Sequence, residues 1–162
     1  RGGGQERGAR AGTENVTGIA GFGAAAAVAG RALAEEFRRV AALRDRLEEG
    51  LRASSSNLVI FGAGRERLPN TTCFAVPGLR AETAVIALDL DGIAVSSGSA
   101  CSSGKVAASH VLAAMGVDPA LARGAIRVSL GFSSTDEEVH RFLSAWNKLA
   151  RALPKSGHGM AA

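Results

Sequence analysis

Residues 33–51 run LAEEFRRVAALRDRLEEGL. Leu33, Phe37, Val40, Leu43, Leu47 and Leu51 recur at spacings of three and four, which lines them up as one stripe along an α-helix. Such a stripe buries against a core. The acids and bases between its members, as in Arg44-Asp45-Arg46 and Glu48-Glu49, have the pattern of a solvated helix face. Beyond Ser54-Ser55-Ser56 the elements shorten. The stretches 58–61 and 71–76 predict strands, the first ended by Gly62 and Gly64, the second bounded by Pro69 and Pro77-Gly78. Residues 81–91 predict a helix closed by Gly92, and Ile93 to Val95 a short strand. A helix is expected over 109–115, another at Asp118-Pro119, and a strand over 125–130. Thr135 with Glu138 three residues on forms a capping box. It opens a last helix whose stripe is Val139, Phe142, Leu143, Trp146 and Leu149. Helices alternate with strands, so the class is α/β, yet the strands are too few for a complete doubly wound sheet.

Upstream of the stripe, residues 1–13 form a loop rich in glycine and arginine. A helix is expected from near Thr13, an N-cap type with Glu14 suited to the first turn, with breaks around Gly21 to Gly23 and at Gly30. The 162 residues suffice for one ordinary domain or a piece of a larger one. Beginning at Arg1, the chain has the look of something cut from a longer protein. No apolar run is expected to reach the length of a membrane span, and no secretory leader pattern is present. The net charge of +4 is modest, and its basic residues are interleaved with acids rather than grouped into a nucleic-acid footprint. Two cysteines, Cys73 and Cys101, make no disulfide framework and point to a reducing, cytoplasmic setting. His110, His140 and His158 are scattered, so no metal site is expected.

Three polar features stand out. Cys101 lies within SSGSACSSGK, residues 96–105, a run that cannot pack a core and leaves its backbone free to move. A thiol on such a loop has the access that nucleophilic sulfur needs, in contrast to Cys73, which lies in an apolar stretch as a packed strand residue. The glycine-rich loop before Thr13 offers backbone N–H groups, a hydroxyl and nearby guanidinium groups, a physically sound cradle for an anion or a phosphate. Arg127 sits inside the apolar strand Ile126-Arg127-Val128 and is too costly to bury unpartnered. It either pairs with an internal carboxylate or forks onto the carboxylate of a substrate.

GGGQERGARAGTEN, SSGSACSSGK and the later GAIRVSLG, with Asn70 and Pro77-Gly78 between, resemble cysteine desulfurases of the NifS/IscS type. The resemblance extends from about Gly2 to the final helix. It implies the fold of a fold-type I transferase dependent on pyridoxal 5'-phosphate. Residues 1–30 would be the end of its large domain, 31–53 a connecting helix, 54–153 the small C-terminal α/β domain and 154–162 a tail. Cys101 would be the nucleophile that takes sulfur from L-cysteine and becomes a persulfide. Arg127 would hold the substrate carboxylate, and Thr13 would reach the cofactor phosphate of the partner subunit in a homodimer. The persulfide would pass to an acceptor protein, such as an iron–sulfur scaffold, or serve tRNA thiolation. The family's Schiff-base lysine would lie upstream, and Lys105 matches no cofactor lysine. The chain alone is therefore expected to be inactive, to fold in part and to bind the cofactor weakly.

Two alternatives belong beside this one. A selenocysteine lyase or another aminotransferase-like enzyme would turn over selenocysteine or an oxo-acid, although an aminotransferase needs no cysteine on a mobile loop. An Arg/Gly module binding RNA would show repeated Arg-Gly units and stacking aromatics; here there is one such segment, and aromatics make up 4% of the chain. Neither direct nucleic-acid binding nor membrane association is expected.

Overall fold

The computed structural model describes residues 3–97 and 109–152. Cys101, Lys105 and the tail from residue 154 lie outside them. The chain divides into two compact units, Arg1–Glu36 and Phe37–Ala162, with the helix α1 (Val16–Ser54) running through the boundary.

In the first unit, a short turn at Gln5–Gly8 places Glu6 and Arg7 at φ 51° and 55°, followed by Gly8 at 82°. Left-handed backbone is costly for residues other than glycine, so two in succession need local support. α1 begins at Val16 rather than near Thr13. Asn15 caps it, its Oδ1 accepting from the Gly18 N–H at 3.0 Å. The expected breaks do not occur: α1 passes through Gly21, Gly23 and Gly30. The alanines around these glycines are the strongest helix formers and offset roughly 1 kcal/mol lost at each. The same composition corrects a second expectation. By length and composition alone, α1 contains an eighteen-residue window apolar enough to cross a membrane, with mean hydropathy 1.4. None of that window is buried, and Val16, Ile19, Phe22, Val28 and Leu33 are exposed.

The second unit is built on a four-stranded sheet of order β1-β2-β4-β3, with β1 Val59–Ile60, β2 Thr71–Ala75, β3 Ser96–Ser97 and β4 Ile126–Ser129. All neighbours are antiparallel. The other helices among the described residues are α2 (Ala81–Leu90), α3 (His110–Ala114), α4 (Pro119–Arg123) and α5 (Asp136–Ala152). The third strand falls later than Ile93 to Val95. Those two apolar side chains pack on the core, and pairing with β4 starts only at Ser96.

Val40, Leu43, Leu47 and Leu51 of the stripe are buried, whereas Phe37 is half exposed. Leu43, Leu47 and Leu51 pack with Phe74, Ile126, Val128 and the α5 residues Val139, Phe142 and Trp146. Trp146 meets Phe74 edge-on at 4.9 Å between ring centroids, and its Nε1 donates to Ser54 Oγ at 2.8 Å. An aromatic pair of that geometry adds about 0.5–1.5 kcal/mol to what burial alone contributes. Glu48 departs from the solvated-face expectation: it is only 3% exposed. Arg39, of the same charged pattern, donates to the carbonyls of Gly131, Phe132 and Ser134 and ties down the turn after β4.

The capping box forms as expected. Thr135 N–H donates to Glu138 Oε2 at 3.1 Å, and Glu138 N–H donates to Thr135 Oγ1 at 3.3 Å. Thr135→Ala is therefore expected to destabilise the fold by about 1 kcal/mol, measured by urea unfolding. Because α5 also holds Trp146 and Phe142 in the core, a loss below a few tenths would mean that packing alone fixes the helix start.

Candidate active site

Alternation along β2 and β4 divides the sheet into two faces. Thr72, Phe74, Ile126 and Val128 point into the main core. Cys73 and Arg127 point the other way, where Phe61, Ala75, Leu112, Ala122 and Ala125 make a smaller cluster that Cys73 borders. The register sets Cys73 opposite Arg127, and Ser96 opposite Arg127 from the far side. Cys73, Arg127 and Ser96 thus form one row across three strands. Entry into β4 is fixed by Gly124, where a Cβ would meet the Leu79 carbonyl oxygen at 2.5 Å.

Arg127 is half-buried, and its Nη2 donates to Ser96 Oγ at 3.3 Å. Its Nε is buried and has no hydrogen-bond partner among the described residues. Among the described residues no carboxylate pairs with it, so the internal ion pair that a buried arginine calls for is not made there. A guanidinium left with donors unused in a part-buried setting has capacity for an incoming anion. Cys73 is a packed strand residue, as expected. Burial pushes its thiol up from the usual range, partly opposed by the positive charge of Arg127. It is a poor thiolate and a poor nucleophile.

Cys101 lies outside the described residues, and chain order alone places it four positions beyond Ser97. Thr13 belongs to the first unit and Arg127 to the second, and each stands on its own unit's geometry. Thr13 is exposed and follows Gly12, whose φ of 91° turns the chain toward the start of α1. An exposed hydroxyl next to the N-terminal end of a long helix suits a phosphate oxygen. The neighbouring Arg10 contributes less than expected. Its guanidinium donates to the carbonyls of Gly12 and Thr13 and is flanked by Glu6 and Glu14 at 3.7 and 3.5 Å.

Two features had no signal in the local sequence. The side-chain contact of Ser96 with Arg127 depends on the pairing of distant strands. The buried Glu48 accepts from Thr72 Oγ1 at 2.8 Å and pairs with Arg67 at 2.5 Å, which only the packing of α1 on β2 creates.

The family model for aminotransferase class-V matches residues 3–142. A cysteine desulfurase of Gluconacetobacter diazotrophicus is 50% identical over 143 residues, covering 88% of this chain and 36% of the relative. The cysteine desulfurase NifS of Azotobacter vinelandii is 44% identical over the same shares. The crystal structure of a NifS-like protein from Rickettsia africae superposes with a TM-score of 0.80 at 37% identity, over 93% of this chain and 39% of that one. The chain thus spans little more than a third of the length of these relatives.

Proposed function

Because the chain belongs to the aminotransferase class-V family, we propose that it works within a cysteine desulfurase, which removes sulfur from L-cysteine and leaves L-alanine. Pyridoxal phosphate, when bound, supplies the electron sink for the amino acid's α-carbon; Thr13 would reach the phosphate of the cofactor held by the partner subunit. Arg127 binds and orients the substrate by its carboxylate. The thiolate of Cys101 forms a bond to the substrate sulfur as the carbon–sulfur bond breaks, and the product is a persulfide on Cys101. The sulfur atom would then pass from Cys101 to an acceptor protein such as an iron–sulfur scaffold, a transfer for which the serine- and glycine-rich composition around Cys101 is suited. The reading extends to a homodimer, in which the exposed Val16, Ile19, Phe22 and Val28 would find cover. It also extends to a reducing, cytoplasmic compartment suited to a free thiol.

The observation that carries the proposal is the unpaired Nε of Arg127 on a sheet face that offers it no carboxylate among the described residues. Arg127→Lys keeps the charge and loses the planar fork, so KM for L-cysteine is expected to rise about tenfold or more. Steady-state kinetics in the full polypeptide test this. Unchanged kinetics combined with easier unfolding would make Arg127 a structural residue and remove the proposed grip.

A further inference from the structure

We infer that Ser96 is a positioning residue for substrate binding: its hydroxyl accepts from Arg127 Nη2 and fixes the direction in which the guanidinium meets a carboxylate. The inference rests on the proposed role of Arg127 and adds to it the group that aims the side chain.

Three observations support it. The backbone register pairs Ser96 with Arg127, so the two side chains leave the same face of adjacent strands at the spacing where cross-strand neighbours interact. Ser96 Oγ accepts from Nη2 at 3.3 Å, while Nε has no partner among the described residues. The other neighbour in the row is Cys73, whose thiol is a weak acceptor. Among the described residues Ser96 therefore supplies the side-chain oxygen that orients Arg127. An arginine has four rotatable side-chain bonds and loses considerable rotamer freedom when held in one geometry. A hydroxyl that holds it beforehand lowers that cost at the moment of binding. The serine also leaves the guanidinium its full charge, which a carboxylate in the same place would neutralise against an anionic ligand.

In the full-length enzyme, Ser96→Ala is expected to raise KM for L-cysteine about three- to tenfold, the range for one lost hydrogen bond, with kcat changed less than about twofold. Ser96→Thr keeps the hydroxyl and is expected to retain a KM near wild type. Ser97 pairs with Ile126 and faces the opposite side of the sheet, so Ser97→Ala controls for disturbance of β3. An unchanged KM there supports the inference, and a rise equal to that of Ser96→Ala overturns it. A readout independent of turnover is the rate at which phenylglyoxal modifies Arg127, followed by peptide mass spectrometry. It is expected to increase in Ser96→Ala. A wild-type KM in Ser96→Ala overturns the inference whatever that rate. The two readings separate through Arg127→Lys. A raised KM there with a wild-type KM in Ser96→Ala removes the role of Ser96 alone, and a wild-type KM in Arg127→Lys removes the carboxylate grip itself.

Discussion

In the full-length enzyme, replacing Cys101 by alanine is expected to abolish sulfide release from L-cysteine, a loss of about a thousandfold or more, as for removal of a nucleophile. Absorbance of the bound cofactor is expected to persist, because the thiol takes part after the substrate is held. Cys73→Ala is expected to keep sulfide release. The expectation for Cys73 follows from its environment. Cys73 is packed on β2, and burial raises its pKa, so its thiolate fraction at neutral pH falls below that of an exposed thiol. The Arg127 charge works in the opposite direction without cancelling the effect. Iodoacetamide at pH 7.5 should accordingly label Cys101 well before Cys73, and mass spectrometry of the persulfide should find it on Cys101. Equal loss of turnover in Cys73→Ala with Cys101 intact would reverse the assignment.

Local chemistry was the part of the fold open to sequence reasoning. Thr135 and Glu138 are three residues apart, so their reciprocal bonds follow from spacing alone. The same holds for Asp118, whose Oδ1 accepts from Ala120 and Leu121 N–H to start α4, and for the buried run Val40, Leu43, Leu47 and Leu51. Propensity misled where neighbours outweighed it. Gly21, Gly23 and Gly30 remain helical among alanines, and the third strand forms from serines because β4 offers them a pairing edge. Arg127 shows how far the site could be read. The sequence demanded a partner for it, and the family resemblance named a substrate carboxylate. The Ser96 hydroxyl and the Cys73 row came only from register between segments more than twenty residues apart. Glu48 shows the opposite failure. A charged helix pattern does not reveal which acid turns inward.

That acid carries the largest stability effect expected in the chain. Glu48 is 3% exposed, and its carboxylate accepts from Thr72 Oγ1 at 2.8 Å, pairs with Arg67 at 2.5 Å and meets Arg52 at 3.3 Å. Arg67 also donates to the Thr71 carbonyl at 3.0 Å, so the pair fastens α1 to β2 and to the loop before it. A buried ion pair is not strongly stabilising against a well-packed apolar substitute, yet removal of one partner leaves the other charge uncompensated. Glu48→Ala is therefore expected to cost about 3 kcal/mol, the low end for a broken buried pair, since Arg67 is 21% exposed and can turn partly to water. Urea unfolding should show the loss as a lower midpoint with little change in slope. Glu48→Gln keeps the shape and one acceptor for Thr72 and should cost less than the alanine. Because β2 carries Cys73 beside Arg127, a loosened α1–β2 junction is also expected to speed alkylation of Cys73. If Glu48→Ala unfolds at the wild-type midpoint, Arg67 and Thr72 are satisfied without it, and the inward-facing carboxylate does not hold the two elements together.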